Sequence, residues 1–205
     1  MAVGTEFAIF AETGFENMKI LKLFAACCAA LAIAGCGSGK GNPLNNAIAD
    51  MMVKQNADVE SFTVYKLTPQ EEVTLSQELA RRQKLFATKE KTYRKKVEEY
   101  KAKGMKKNAA KNEEILRSTE DILSRIETYR SGHSAQMDSV IYTVYRMDGC
   151  AKTFDKQKME VRDYFVNVSP EGAVLSIRPS TDNPYQHMGS AIPGYVEEIV
   201  ADNSL

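Results

Sequence analysis

The chain has 205 residues, and its 27 basic and 27 acidic side chains cancel to zero net charge. At 43% hydrophobic it is too apolar for a disordered polyelectrolyte, and its neutrality excludes the strongly basic domain that nucleic-acid phosphates select. The length suits one domain with a leader, and the lack of Trp and 8% aromatic content suit a modest core.

Met18-Lys19-Ile20-Leu21-Lys22 opens a leader that continues through twelve apolar residues, Leu23 to Ala34, and ends in Gly35-Cys36. Lysines at the front hold that end in the cytoplasm, and the apolar run falls short of the ~20 residues a spanning helix needs. The terminal Leu31-Ala32-Ile33-Ala34-Gly35-Cys36 resembles the lipobox of bacterial lipoprotein precursors. The resemblance implies cleavage before Cys36, which becomes the lipid-bearing first residue of the mature chain; two or three acyl chains make a stable membrane anchor. It also implies a location in the cell envelope. Gly37 stands where an Asp would retain an enteric lipoprotein at the inner membrane, so the outer membrane, periplasmic side, is expected. Residues 1–17 carry Glu6, Glu12 and Glu16, too acidic for a signal front, and the expected start is Met18.

With residues 18–35 removed and Cys36 acylated, Cys150 is the one remaining thiol, so the mature chain holds no internal disulfide. Residues 36–44 include Gly37-Ser38-Gly39-Lys40-Gly41-Asn42-Pro43, a flexible tether, and 45–205 form the expected domain.

Ile48, Met51 and Met52 recur at helical spacing in a short segment from Asn45 to Lys54. Val59 to Leu67 reads as a strand, and Thr68-Pro69-Gln70-Glu71 as a helix start with a capping Thr and a Pro in the first turn. The helix is expected to run to Lys103 on the stripe Leu75, Leu79, Phe86, Tyr93, Val97 and Tyr100, with Gly104 ending or bending it. A second helix from Ala109 to Tyr129 carries Ile115, Ile122, Ile126 and Tyr129, giving a hairpin or one bent helix. Val140 to Met147 then alternates as a strand with Asp148-Gly149 as its turn, followed by strands at Met159 to Val168 and Ala173 to Arg178. The expected fold is α+β: an N-terminal strand, two long amphipathic helices, and a three-stranded antiparallel meander. In element order alone it is similar to cystatin-like and nuclear-transport-factor-like folds, which host many unrelated activities. Val140, Tyr142 and Val144 share one face of the first meander strand and Ile141, Tyr145 and Met147 the other. One of these apolar faces covers the helices; the other is covered by the terminal segment or a partner subunit, or is an open Tyr-lined groove.

Between Arg81 and Lys111 thirteen basic residues face only Glu90, Glu98 and Glu99. Arg82, Lys89, Lys96 and Lys103 recur every seven residues beside the apolar stripe, a cationic ridge suited to an anionic lipid or an acidic protein, or simply a solvated face. Catalysis has thin support. His133 and His187 have no metal-ligand spacing with a partner, no phosphate loop or serine elbow occurs, and no cofactor is expected. Cys150 with His133 or His187 and Asp182 could be drawn as a nucleophile, base and orienter. The first expectation is therefore a lipid-anchored binding or scaffolding module. A small cysteine-dependent hydrolase or transferase is the alternative, and homo-oligomerisation through the helices is the third.

Overall fold

The computed structural model describes residues 42–201. The leader and Cys36 lie outside the described residues. The chain runs through helix α1 (Pro43–Gln55), strand β1 (Val59–Thr74), helices α2 (Leu75–Ala102) and α3 (Lys106–Gly132), then strands β2 (Val140–Thr153), β3 (Lys158–Val168) and β4 (Val174–Pro179). Two short segments follow, a 3-10 turn at Met188–Ala191 and a π-helical turn at Tyr195–Val200. The class is α+β, as the element order implies. The N-terminal strand does not stand apart from a three-stranded meander, however. It joins the meander as an edge, giving one four-stranded antiparallel sheet in the order β1-β2-β3-β4.

β1 is much longer than Val59 to Leu67 because β2 offers it a partner along its whole length, from Val59 opposite Thr153 to Thr74 opposite Val140. Pro69 is no helix start. It sits in β1 opposite Tyr145, where an edge strand tolerates the missing N–H. The capping box lies six residues later. Thr74 Oγ1 accepts from the Gln77 N–H at 3.4 Å while Thr74 N–H donates to Gln77 Oε1 at 2.9 Å. The next two helical N–H groups, of Leu75 and Ser76, donate to the Ser139 and Met137 carbonyls at 3.0 and 2.9 Å, tying the start of α2 to the entry of β2. The helices form a hairpin: Gly104 adopts φ +68°, a left-handed value natural to glycine, and reverses the chain between them.

Asp148-Gly149 is not the β2–β3 turn. The pairing shifts there between Met147 opposite Tyr164 and Gly149 opposite Val161, and the Asp163 N–H donates to Asp148 Oδ1 at 2.9 Å. Gly149 is needed for close packing, since a Cβ on it would lie 2.5 Å from Phe62 Cζ and 2.7 Å from the Thr63 carbonyl. The turn itself comes after Thr153, whose N–H donates to the Gln157 carbonyl at 3.0 Å.

Both sheet faces are covered by the chain itself. On one, α1 lays Ile48 and Met52 over Phe62, Met147, Ala151, Val161, Val166 and Val168, with Tyr145 packed alongside. This helix begins at Pro43, inside the expected tether. On the other face, Leu75 and Leu79 of α2 and Ile122, Ile126 and Tyr129 of α3 pack on Val73, Tyr142 and Val144. The C-terminal segment closes that layer with Met188, Ile192, Tyr195 and Ile199. Neither β2 tyrosine lines an open groove: Tyr142 is fully buried, and Tyr145 is half-buried against the cluster that includes Ile48 and Met52.

Candidate functional site

The seam between hairpin base, β2 and C-terminal segment holds a connected group of buried and half-buried ionic side chains. Glu78 has no exposed surface, yet it lies one residue from Leu79 on the apolar side of α2. Its Oε1 accepts from Arg82 Nε at 2.7 Å and Nη2 at 2.6 Å, and its Oε2 accepts from the Tyr142 hydroxyl at 2.7 Å. Arg81 approaches the same carboxylate at 3.5 Å and Glu71 Oε1 at 2.9 Å. Glu71 in turn accepts from the Tyr185 hydroxyl, whose ring carries the Arg81 guanidinium 3.8 Å above it. Arg82 Nη2 donates to the Tyr185 carbonyl at 2.6 Å. Two acids and two arginines balance, so burial leaves no net charge uncompensated. Burial first, and then the Glu78 carboxylate, hold the Tyr142 hydroxyl well above the usual phenol range, so it remains a donor.

Arg82 is thereby removed from the cationic ridge: it is buried, fully engaged and turned toward the sheet. Sequence reasoning counted its charge and missed the node. The available signal was the spacing of Leu75, Glu78, Leu79 and Arg82, which puts an i,i+4 ion pair on the apolar face. The rest of the ridge stays outside. Lys89 lies 5.3 Å over the Phe86 ring and Lys96 5.0 Å over Tyr93, their stems covering the aromatic stripe. Burial, and then Arg82, lower the Lys89 pKa. Lys103 is exposed at the end of α2.

The acids of α3 face the bases of α2. Arg94 pairs with Glu120 at 2.8 Å and Lys101 with Glu113 at 2.6 Å, while Gln83 donates to Glu127. Over residues 75–132 the hairpin still carries sixteen basic against nine acidic side chains. The remaining described residues carry eight basic against fourteen acidic. The apolar stripe of α2 is used within the hairpin and at its base, with Val97 and Ala109 buried.

Cys150 lies inside β2, opposite Thr63 and Glu160, rather than at a strand start. Its Sγ is 3.6 Å from the Ala151 carbonyl, and its proximity raises the pKa of the exposed Tyr65. His133 caps α3, stacked on Tyr129 at 4.0 Å and 3.8 Å from Glu198. His187 lies beyond β4 in a left-handed conformation, its pKa lowered by burial, then by Arg178 and Arg82. Asp182 is exposed, with its N–H on the Pro179 carbonyl. Each of these residues has partners other than the rest of the set, and no hydrogen bond joins Cys150 to either imidazole among the described residues.

Two open grooves mark the surface. One, of about 460 Å³, lies between α1 and β1 along Val53 and Phe62, and the other, of about 290 Å³, lies along Tyr65 and Gly149. Neither is lined by a histidine or a thiol. Among the described residues no group of three His, Cys, Asp or Glu is placed to hold a metal ion, and no helix is long and apolar enough to cross a membrane. Comparison with known proteins gives no match to a family model, a curated protein or a solved structure.

Proposed function

We propose that this is a lipid-anchored protein of the bacterial cell envelope, held by acyl chains on Cys36 and acting as a non-catalytic binding or scaffolding module on the periplasmic side of the outer membrane. The observation that carries this reading is the run Leu31-Ala32-Ile33-Ala34-Gly35-Cys36 behind a lysine-flanked apolar stretch. The binding role is supported by the separation of charge into a basic hairpin on an acidic body, and by the use of the buried ionic groups as a structural node. The partner is anionic, met by Lys89, Lys96 and Lys103.

Labelling with a palmitate analogue followed by membrane fractionation tests the anchor. The parent chain takes up label and sediments with envelope membranes. Cys36→Ala loses both the label and processing at that site. A Cys36→Ala chain that stays processed and membrane-bound overturns the reading.

A further inference from the structure

The hairpin does not carry its charge evenly. Its base, where Leu75, Leu79, Phe86, Ile122, Ile126 and Tyr129 meet the sheet layer, holds the paired arginines of the ionic node. Among the described residues, 87–121 contribute no side chain to either core around the sheet, so this part of the hairpin lies beyond the sheet layer. Beyond Phe86, α2 continues for roughly 24 Å at 1.5 Å per residue. At its far end, residues 95–111 gather seven lysines against Glu98 and Glu99. The chain reversal at Gly104 makes one cluster from lysines of two different helices.

The pairing state differs along the same axis. Lower in the hairpin Arg94 and Lys101 are neutralised by α3 acids, whereas Lys103, Lys106, Lys107 and Lys111 are exposed with no acidic partner among the described residues. Met105, 43% exposed, stands at the apex between them. It is also the N-cap of α3 and supplies no side-chain cap; the Lys106 N–H donates to the Gly104 carbonyl at 3.0 Å, which leaves the N–H groups of Lys107 and Asn108 to open among the lysines. Unpaired lysines, uncapped N–H donors and a flexible apolar side chain at a projecting apex form a surface complementary to phosphate diesters beside acyl chains.

We infer that the hairpin tip, from Lys103 to Lys111 with Met105 at its apex, docks on an anionic phospholipid bilayer surface. This deepens the proposed function and rests on it for the surface within reach. The bilayer is favoured over an acidic protein because the tip offers one apolar side chain in a ring of flexible lysines and no apolar patch for a protein partner to cover.

The test uses the full chain made without lipid attachment, sedimented with vesicles of phosphatidylcholine alone or with about one-third phosphatidylglycerol. Each lysine at such a surface strengthens binding by about fivefold, so three contribute roughly a hundredfold. Lys103→Glu/Lys106→Glu/Lys107→Glu is expected to cut the preference for anionic vesicles by at least about tenfold, and raised salt to abolish it. The control reversal Lys54→Glu/Lys66→Glu/Lys158→Glu, outside the hairpin, leaves most of that preference. Because the chain has no Trp, Met105→Trp supplies a single emitter, which shifts to the blue on anionic vesicles and not on neutral ones. An undiminished preference in the tip variant overturns the inference, as does unshifted Trp emission on bound vesicles. Tip-dependent capture of polyglutamate without vesicle preference also overturns it and assigns the surface to an acidic protein. None of these readouts depends on acylation of Cys36, so the inference and the anchor fail separately.

Discussion

The Tyr142 hydroxyl donates to Glu78 Oε2 at 2.7 Å, joining β2 to α2 between two residues with no exposed surface. Sixty-four positions separate them in the chain. Glu78 also holds Arg82, and Arg82 holds the carbonyl of Tyr185, so one carboxylate connects the sheet, the hairpin and the C-terminal segment.

Replacing Tyr142 with Phe removes one hydrogen bond to a charged acceptor and is expected to cost about 1.5–3 kcal/mol in urea unfolding. Glu78→Gln leaves Arg82 buried without its counter-charge and costs about 3–5 kcal/mol. The double variant Glu78→Leu/Arg82→Leu removes both charges and is expected to be more stable than Glu78→Gln. A double variant less stable than that single change would show that the node contributes more than charge compensation.

Gly149→Ala places a methyl group 2.5 Å from Phe62 and 2.7 Å from the Thr63 carbonyl. Overpacking of this kind costs about 1–3 kcal/mol. Adding Phe62→Leu is expected to recover only part of the loss, because the Thr63 carbonyl is backbone. Thermal unfolding of the three proteins measures this.

Two other glycines separate backbone conformation from space. A Cβ meets nothing within 4 Å at either Gly104 or Gly132, but only Gly104 has positive φ, +68°. Gly104→Ala should therefore destabilise by about 1 kcal/mol, whereas Gly132→Ala at the end of α3 should be neutral or stabilise by a few tenths, as denaturant midpoints will report.

Burial, with help from Arg178 and Arg82, holds the His187 imidazole below its ordinary pKa near 6.5. Between that value and the lower folded one, the unfolded chain binds more protons, so stability falls as pH drops through the window and then levels. Asp163 and Glu60, lowered by Arg146 and by Lys156 and Lys152, act in a separate window, losing their contribution only as pH falls below the ordinary carboxylate range near 4. His187→Asn keeps a residue type that accepts the left-handed backbone. It is expected to flatten the decline in urea midpoint as pH falls below the ordinary imidazole value near 6.5, while leaving the acid limb unchanged.

Cys150 is 9% exposed, and among the described residues no imidazole or carboxylate is hydrogen-bonded to its thiol. Iodoacetamide should modify it in the native chain far more slowly than in urea, as followed by mass of its peptide. Rapid native alkylation would restore the cysteine-enzyme alternative.

Local chemistry was legible where it acts locally. The amphipathic stripes of both helices, the reversal at Gly104 and the alternation of β2 all follow from side-chain type and period. Misplacements occurred where a distant partner outweighs a local preference. Thr68-Pro69 has the chemistry of a helix start, but pairing with β2 keeps the chain extended to Thr74, whose own capping box then starts α2. Asp148-Gly149 has the chemistry of a turn, but Phe62 claims the space above Gly149. Arg82 counted among the surface bases until Tyr142, brought from beyond both helices, showed that Glu78 and Arg82 face inward.

The opening balance of 27 basic and 27 acidic residues, and the concentration of base between Arg81 and Lys111, are fixed by composition and order alone. What each charge does was decided by the fold. Burial turns Arg82 into a structural ion, the antiparallel helix neutralises Arg94 and Lys101, and the Gly104 reversal gathers the lysines left over into a single tip. A sequence lists charges along one dimension; their electrostatic effect depends on separation and solvent exposure, which only the packed chain sets.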